Sequence, residues 1–179
     1  NASATGAASE AEYLEVALAE ICDPDRVLTV LGAEMPPGME VLEVVETDRT
    51  PFTELLTASA WLIAPVGEVA GLAEAVEAVM AAETVEVKRM TKSGMRTFDV
   101  RAALIGLDVW DGKLRLMLRH VTPLVRPDDV LRALAEKCPA LDVDAARATR
   151  LAQGACVEDA SGVSTVLTDP FSGVAVTVW

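Results

Sequence analysis

A chain of 179 residues with 28 Asp and Glu against 15 Lys and Arg carries a formal net charge of −13 at pH 7. Its length supports one sizeable domain or two small ones, and 51 % hydrophobic with 24 % charged residues excludes disorder and collagen-like repeats. No apolar run approaches the roughly 18 residues of a membrane span, and acidity on this scale argues against general nucleic-acid binding, because a phosphate polyanion is repelled on average.

Residues 1–9 are small and polar and lack the apolar stretch of a signal peptide. Tyr13–Leu18 alternates apolar and polar residues, the period of a half-buried strand. Asp23-Pro24-Asp25 then supplies an N-cap acid, Pro at the first helical position and an acid in the first turn. Val27, Val30 and Leu31 form the apolar stripe, and Pro36-Pro37-Gly38 stops the helix. Met39–Val45 has the pattern of a second strand, so residues 10–46 predict a β-α-β unit.

Thr50-Pro51-Phe52 opens a connector, and Ala60–Ala64 predicts a short buried strand. Residues 68–82 are helical by period, with Val69, Leu72, Ala73, Val76, Val79 and Met80 on one stripe and three Glu outside it. Thr84–Arg89 predicts a strand, Lys92-Ser93-Gly94 a turn and Arg96–Val100 an extended return. Leu104–Trp110 and Lys113–Arg119 flank Asp111-Gly112, a strong hairpin signal. Pro127 with Asp128 and Asp129 starts a further helix carrying Val130, Leu131 and Leu134. Arg147–Ala152 either extends that helix or forms a strand, with strand favoured, and Val163–Leu167 with Val174–Val178 predict a terminal hairpin.

From residue 60 the order is β-α-β, hairpin, α, β, the ferredoxin-like order with an elaborated centre. Residues 10–46 supply only the second half of such a unit. The expectation is therefore an α+β fold of ferredoxin-like units in tandem, the first incomplete, with antiparallel sheets and helices packed on one face. Its parts are a partial unit over 10–48, a second unit over 58–155 and a hairpin extension over 156–179.

Catalytic motifs are missing. Cys22, Cys138 and Cys156 are too scattered for a disulfide framework or a Cys-x-x-Cys site, and suit a reducing, cytoplasmic compartment. His120 has no Glu-x-x-His neighbour, which favours a structural or solvent-facing role over a metal ligand or a general base. Asp108 and Asp111 read as turn acids, Trp61 and Trp110 as anchors, and Glu40, Glu43 and Glu46 as a solvated edge. Nucleophile elbow, Walker loop and dinucleotide fingerprint are absent. No catalytic or metal-binding residue is assigned.

The charge itself is segregated. Residues 1–87 hold 17 acids and only Arg26 and Arg49, whereas residues 88–137 hold 11 bases and 6 acids. Lys88, Arg89, Lys92, Arg96 and Arg101 fall within 14 residues. Gly94 permits the positive φ of a turn whose N–H groups can cradle an anion. Asp99 is placed to orient Arg89 or Arg101 by a bidentate pair. One reading is an anion site for RNA backbone, a phosphorylated ligand or an acidic surface. The other is a solvated hairpin whose bases offset the acidic half.

Three stretches carry a family resemblance. They are Ser9–Val16, the Asp23-Pro24 helix with Met35–Leu42 after it, and Val87–Arg101, where Arg89, Thr91, Lys92, Gly94, Asp99 and Arg101 fit a Val-x-Arg-x-Thr-Lys-x-Gly-x-x-x-x-Asp-x-Arg pattern. Together they resemble DUF2344, a radical SAM-linked bacterial family, over roughly residues 9–150. The resemblance implies a domain that partners a radical SAM protein, fused to it or encoded beside it, in a context that points to RNA. It also implies that this sequence is truncated before the Ser9 stretch. The three scattered cysteines cannot supply the Cys-x-x-x-Cys-x-x-Cys run of a radical SAM cluster. The iron–sulfur cluster and SAM are therefore expected only in the partner, and this chain holds no cofactor of its own. The expected role is accessory or substrate recognition through the 88–101 hairpin. The alternatives are a protein-interaction module, which predicts a contiguous apolar patch, or part of an enzyme site completed by a preceding segment.

Overall fold

The computed structural model describes residues 6–47, 50–92, 94–158 and 165–178. In chain order the elements are β1 (Ala8–Ser9), α1 (Pro24–Glu34), α2 (Phe52–Leu55), β2 (Ala58–Ala64), α3 (Leu72–Ala81), β3 (Glu86–Thr91), β4 (Gly94–Asp99), β5 (Leu104–Trp110), β6 (Lys113–Arg119), α4 (Pro127–Ala135), β7 (Arg147–Glu158), β8 (Thr165–Thr168) and β9 (Ala175–Val176). The fold is α+β. A main sheet runs β5-β6-β2-β7-β8-β9, antiparallel throughout, with β1 added in parallel to β7, while β3 and β4 form a separate two-stranded sheet.

Alternation along β6 builds the core. Leu114, Leu116 and Leu118 point to one face and are almost fully buried, each stabilising the fold by about 2 kcal/mol. They meet Trp61 and Ile63 of β2, Leu72, Val76 and Val79 of α3, and Val130, Leu131 and Leu134 of α4. Both helices therefore lie on one face of the sheet. Met117 points the other way, onto Ala58, Ala60, Ala152 and Leu167 from the β8–β9 hairpin.

Turn chemistry fixes the connections. Asp111 (φ 49°) and Gly112 (φ 69°) both adopt positive φ, closing β5 onto β6 with Trp110 paired to Lys113. Asp23 caps α1, its Oδ1 accepting the Asp25 N–H at 2.8 Å. Asp169 organises the last hairpin through bonds from the Phe171 and Ser172 N–H groups. Burial pushes that carboxyl up, but these bonds, the Ser172 hydroxyl and Tyr13 together hold it below the usual aspartate range. Val163, Ser164 and Ser93, included in the sequence expectations, lie outside the described residues.

Of the expected first β-α-β unit, only the helix forms among the described residues: Tyr13–Leu18 and Met39–Val45 pair with no strand there, and α1 buries no residue. Alternation selects a face for a strand but supplies no edge to pair with. What holds this region to the body is a short strap. β1 lies beside Thr149 and Arg150, the Gln153 side-chain amide donates to the Ala11 carbonyl, and Glu12 forms an ion pair with the buried Arg150. Tyr13 sits edge-on to Phe52 and Phe171 and donates to Asp169 Oδ2 at 3.1 Å. Burial, with the Asp169 charge beside it, pushes the Tyr13 phenol up to about 12.

Candidate functional site

β3 and β4 project as a hairpin between α3 and β5, in register from Glu86–Asp99 to Thr91–Gly94. Val87 and Phe98 face each other across it and are buried, rooting the ribbon in the core. Gly94, at φ 104°, takes a conformation that a side chain would strain, and the Thr91 hydroxyl donates to its carbonyl at 2.8 Å.

Beside Gly94 at the turn, the six other residues of the basic cluster divide into two sets. Arg89 turns inward, where it pairs with Asp129 of α4, donates to the Leu124 carbonyl at 3.1 Å and lies 4.1 Å over the Phe98 ring. Asp129 is fully buried and also accepts the Arg126 N–H at 2.9 Å, so one carboxylate oxygen serves both the ion pair and the first turn of α4. Its other oxygen accepts no hydrogen bond, with Arg132 Nη1 3.6 Å away. Arg101 donates from Nε to the Met80 carbonyl at 3.2 Å and from Nη1 to the Leu104 carbonyl at 3.3 Å. It thereby satisfies a carbonyl in the last turn of α3. Asp99 does not clamp a guanidinium; its Oδ1 accepts the Val85 and Arg101 N–H groups at 3.0 Å each. In this corner backbone donors surround the carboxylate before an arginine side chain can reach it.

Lys88, Lys92 and Arg96 form the outward set. All three are exposed, and none forms an ion pair among the described residues. They do not share one face. Lys88 lies on the side of Met90 and Met95, Arg96 is opposite Arg89 on the other side, and Lys92 is at the turn. Lys88 and Lys92 are about 13 Å apart along the strand. Beside the ribbon a cleft of about 350 Å³ brings Lys88 and Thr97 near Arg132 and Glu136. Glu86 lines it too, so its two carboxylates oppose an anion there and leave the outer tip as the cationic surface.

The sequence reading missed a buried polar group behind the sheet. The Trp61 indole N–H donates to Ser59 Oγ at 2.9 Å, Ser59 lies 3.0 Å from His120 Nε2, and His120 Nδ1 lies 2.7 Å from the Leu56 carbonyl. Because a carbonyl only accepts, Nδ1 carries the proton and Nε2 takes the Ser59 hydroxyl, as assigned from this network. Burial pushes the His120 pKa down, against the pull of the Leu56 carbonyl, and nearby Arg150 adds to the fall. The chain of bonds ties Trp61 and Ser59 of β2 to Leu56 before it and to His120 after β6. Arg150, over Trp61 at 5.2 Å, had one legible signal: it follows Ala148 on the core face of an alternating strand.

Asp108, expected as a turn acid, stands within β5 as a cross-strand partner, held by Arg115 Nε at 2.7 Å and Nη2 at 2.9 Å. Cys138 is buried, its thiol 3.3 Å from the Ala70 carbonyl. Among the described residues no three metal-ligating side chains come together, and no helix is long and apolar enough to cross a membrane.

No curated protein and no solved structure matches the chain in comparison. A family model does: DUF2344, described as an uncharacterised protein conserved in bacteria, matches residues 1–127. That span includes the strap, the whole β3–β4 ribbon and the β5–β6 hairpin, and it places this chain in the DUF2344 family.

Proposed function

We propose that this chain is a non-catalytic recognition domain that works with a radical SAM protein and holds RNA against the tip of the β3–β4 hairpin. The radical SAM partnership follows from the family resemblance and the scattered cysteines. The observation that carries the RNA reading is the outward set: Lys88, Lys92 and Arg96 stand exposed and, among the described residues, outside any ion pair, while Arg89 and Arg101 are committed to the body. Cations spread over both faces and the turn suit an extended polyanion that wraps the tip, not a small anion bound at one point. We read residues 58–155 as a single ferredoxin-like unit with this ribbon inserted before its second strand. The strand order β5-β6-β2-β7 around α3 and α4 supports that reading.

Charge reversal at Lys88, Lys92 and Arg96 tests the proposal. Fluorescence anisotropy with tRNA or an rRNA fragment should show binding lost in the triple variant. Single variants should each lower the slope of log affinity against log salt by about one. Unchanged RNA binding in the triple variant would overturn the reading.

A further inference from the structure

The cleft beside the ribbon mixes both signs of charge in a space of about 350 Å³. That is the small end of ligand sites, the scale of one ring system. Glu86, Lys88 and Thr97 reach it from one face of the ribbon, since Lys88 is paired with Thr97 and Glu86 lies two residues back. Arg132 and Glu136, one turn apart at the end of α4, line it from the helix side. Among the described residues, neither carboxylate closes an ion pair with either cation across it. Arg132 is instead drawn from behind: the buried Asp129 Oδ1, which accepts no hydrogen bond, lies 3.6 Å from its Nη1. Glu136 stands at the C-terminal end of α4, where the helix dipole disfavours a carboxylate, so helix stability does not account for it.

Two carboxylates repel an anion from this cleft, and Lys88 and Arg132 repel a cation. What fits is a neutral group that presents donors and acceptors together. Lys88 also belongs to the outward cationic set, so an RNA strand held there brings its bases to the cleft. Among the four bases only guanine offers two adjacent donors, N1–H and N2–H, beside an acceptor, O6. A carboxylate takes both donors, and a neighbouring Lys or Arg takes O6. We infer that the cleft between β3 and α4 binds one unpaired guanine, with Glu86 and Glu136 as its specificity-determining residues. This rests on the RNA reading and adds to it which nucleotide the domain selects.

Fluorescence anisotropy on the full chain, with single-stranded oligouridine carrying one central guanosine, inosine or adenosine, tests the inference. Guanosine should tighten binding about tenfold over plain oligouridine. Inosine keeps N1–H and O6 but lacks the N2 amino group, so it should recover only part of that gain, and adenosine none. A Glu86→Gln/Glu136→Gln chain should lose the guanosine preference while still binding oligouridine, because Lys88, Lys92 and Arg96 are untouched. Equal affinity for the four oligonucleotides would overturn the inference and leave the RNA reading standing. A guanosine preference that survives the double variant would do the same. Binding to none of the four would overturn the RNA reading, and this inference with it.

Discussion

Arg89 and Arg96 face each other across one ribbon, yet only Arg96 is available to a ligand. Asp129 makes the difference. A carboxylate with no exposed surface is tolerated because Arg89 neutralises it and the Arg126 N–H bonds to it. Arg89→Met should therefore destabilise the fold by about 3 kcal/mol, read as a lower urea midpoint, because it strands a buried charge. Adding Asp129→Asn should recover part of that loss. If Arg89 instead served a ligand, the single variant would lower RNA binding and leave the urea midpoint where it was. Charge pattern alone placed Arg89, Arg101 and Lys92 in one set. The carboxylate that takes Arg89 out of that set lies 40 residues along the chain, and the Asp128-Asp129 pair reads locally as no more than a helix start.

At the scale of elements, what was legible was what local chemistry decides. Asp111-Gly112 announced its hairpin because two consecutive positive φ values have few other solutions, and Pro24 after Asp23 announced α1 in the same way. Pairing partners were not legible: the strap at Ala8–Ser9 carries no strand signal of its own and is ordered by Arg150 and Gln153. Contact at the β7–β8 crossing is equally invisible in sequence. A Cβ on Gly154 would come 1.9 Å from the Thr168 carbonyl oxygen, so Gly154→Ala must push β8 away and uncover Leu167. The expected cost is about 1–3 kcal/mol in urea denaturation, with faster amide exchange in β8. Gly106→Ala, with nothing within 4 Å of its new Cβ, is the control that should leave β8 exchange unchanged.

For the whole molecule, the charge of −13 is a difference between regions, and acidity and basicity concentrate in separate stretches of the chain. Stability should also depend on pH at both ends. His120 titrates below its ordinary 6.5 when folded, so below 6.5 the unfolded chain binds the extra proton and stability falls with pH. Tyr13 titrates near 12 against an ordinary 10.0, so above 10 the unfolded chain loses its proton first and stability falls as pH rises. Urea midpoints from about pH 5 to about pH 11 should form a plateau with two shoulders. His120→Gln should flatten the acid shoulder and Tyr13→Phe the alkaline one; shoulders that persist in these variants would assign them to other groups. The strap adds a matter of timing. Glu12 precedes Arg150 by 138 residues, and at roughly 5–20 residues per second a ribosome needs about 7–28 s to cover that distance. Through that interval the strap has nowhere to dock, and from the completion of β2 onward nascent chains carry an unguarded sheet edge until β7 emerges.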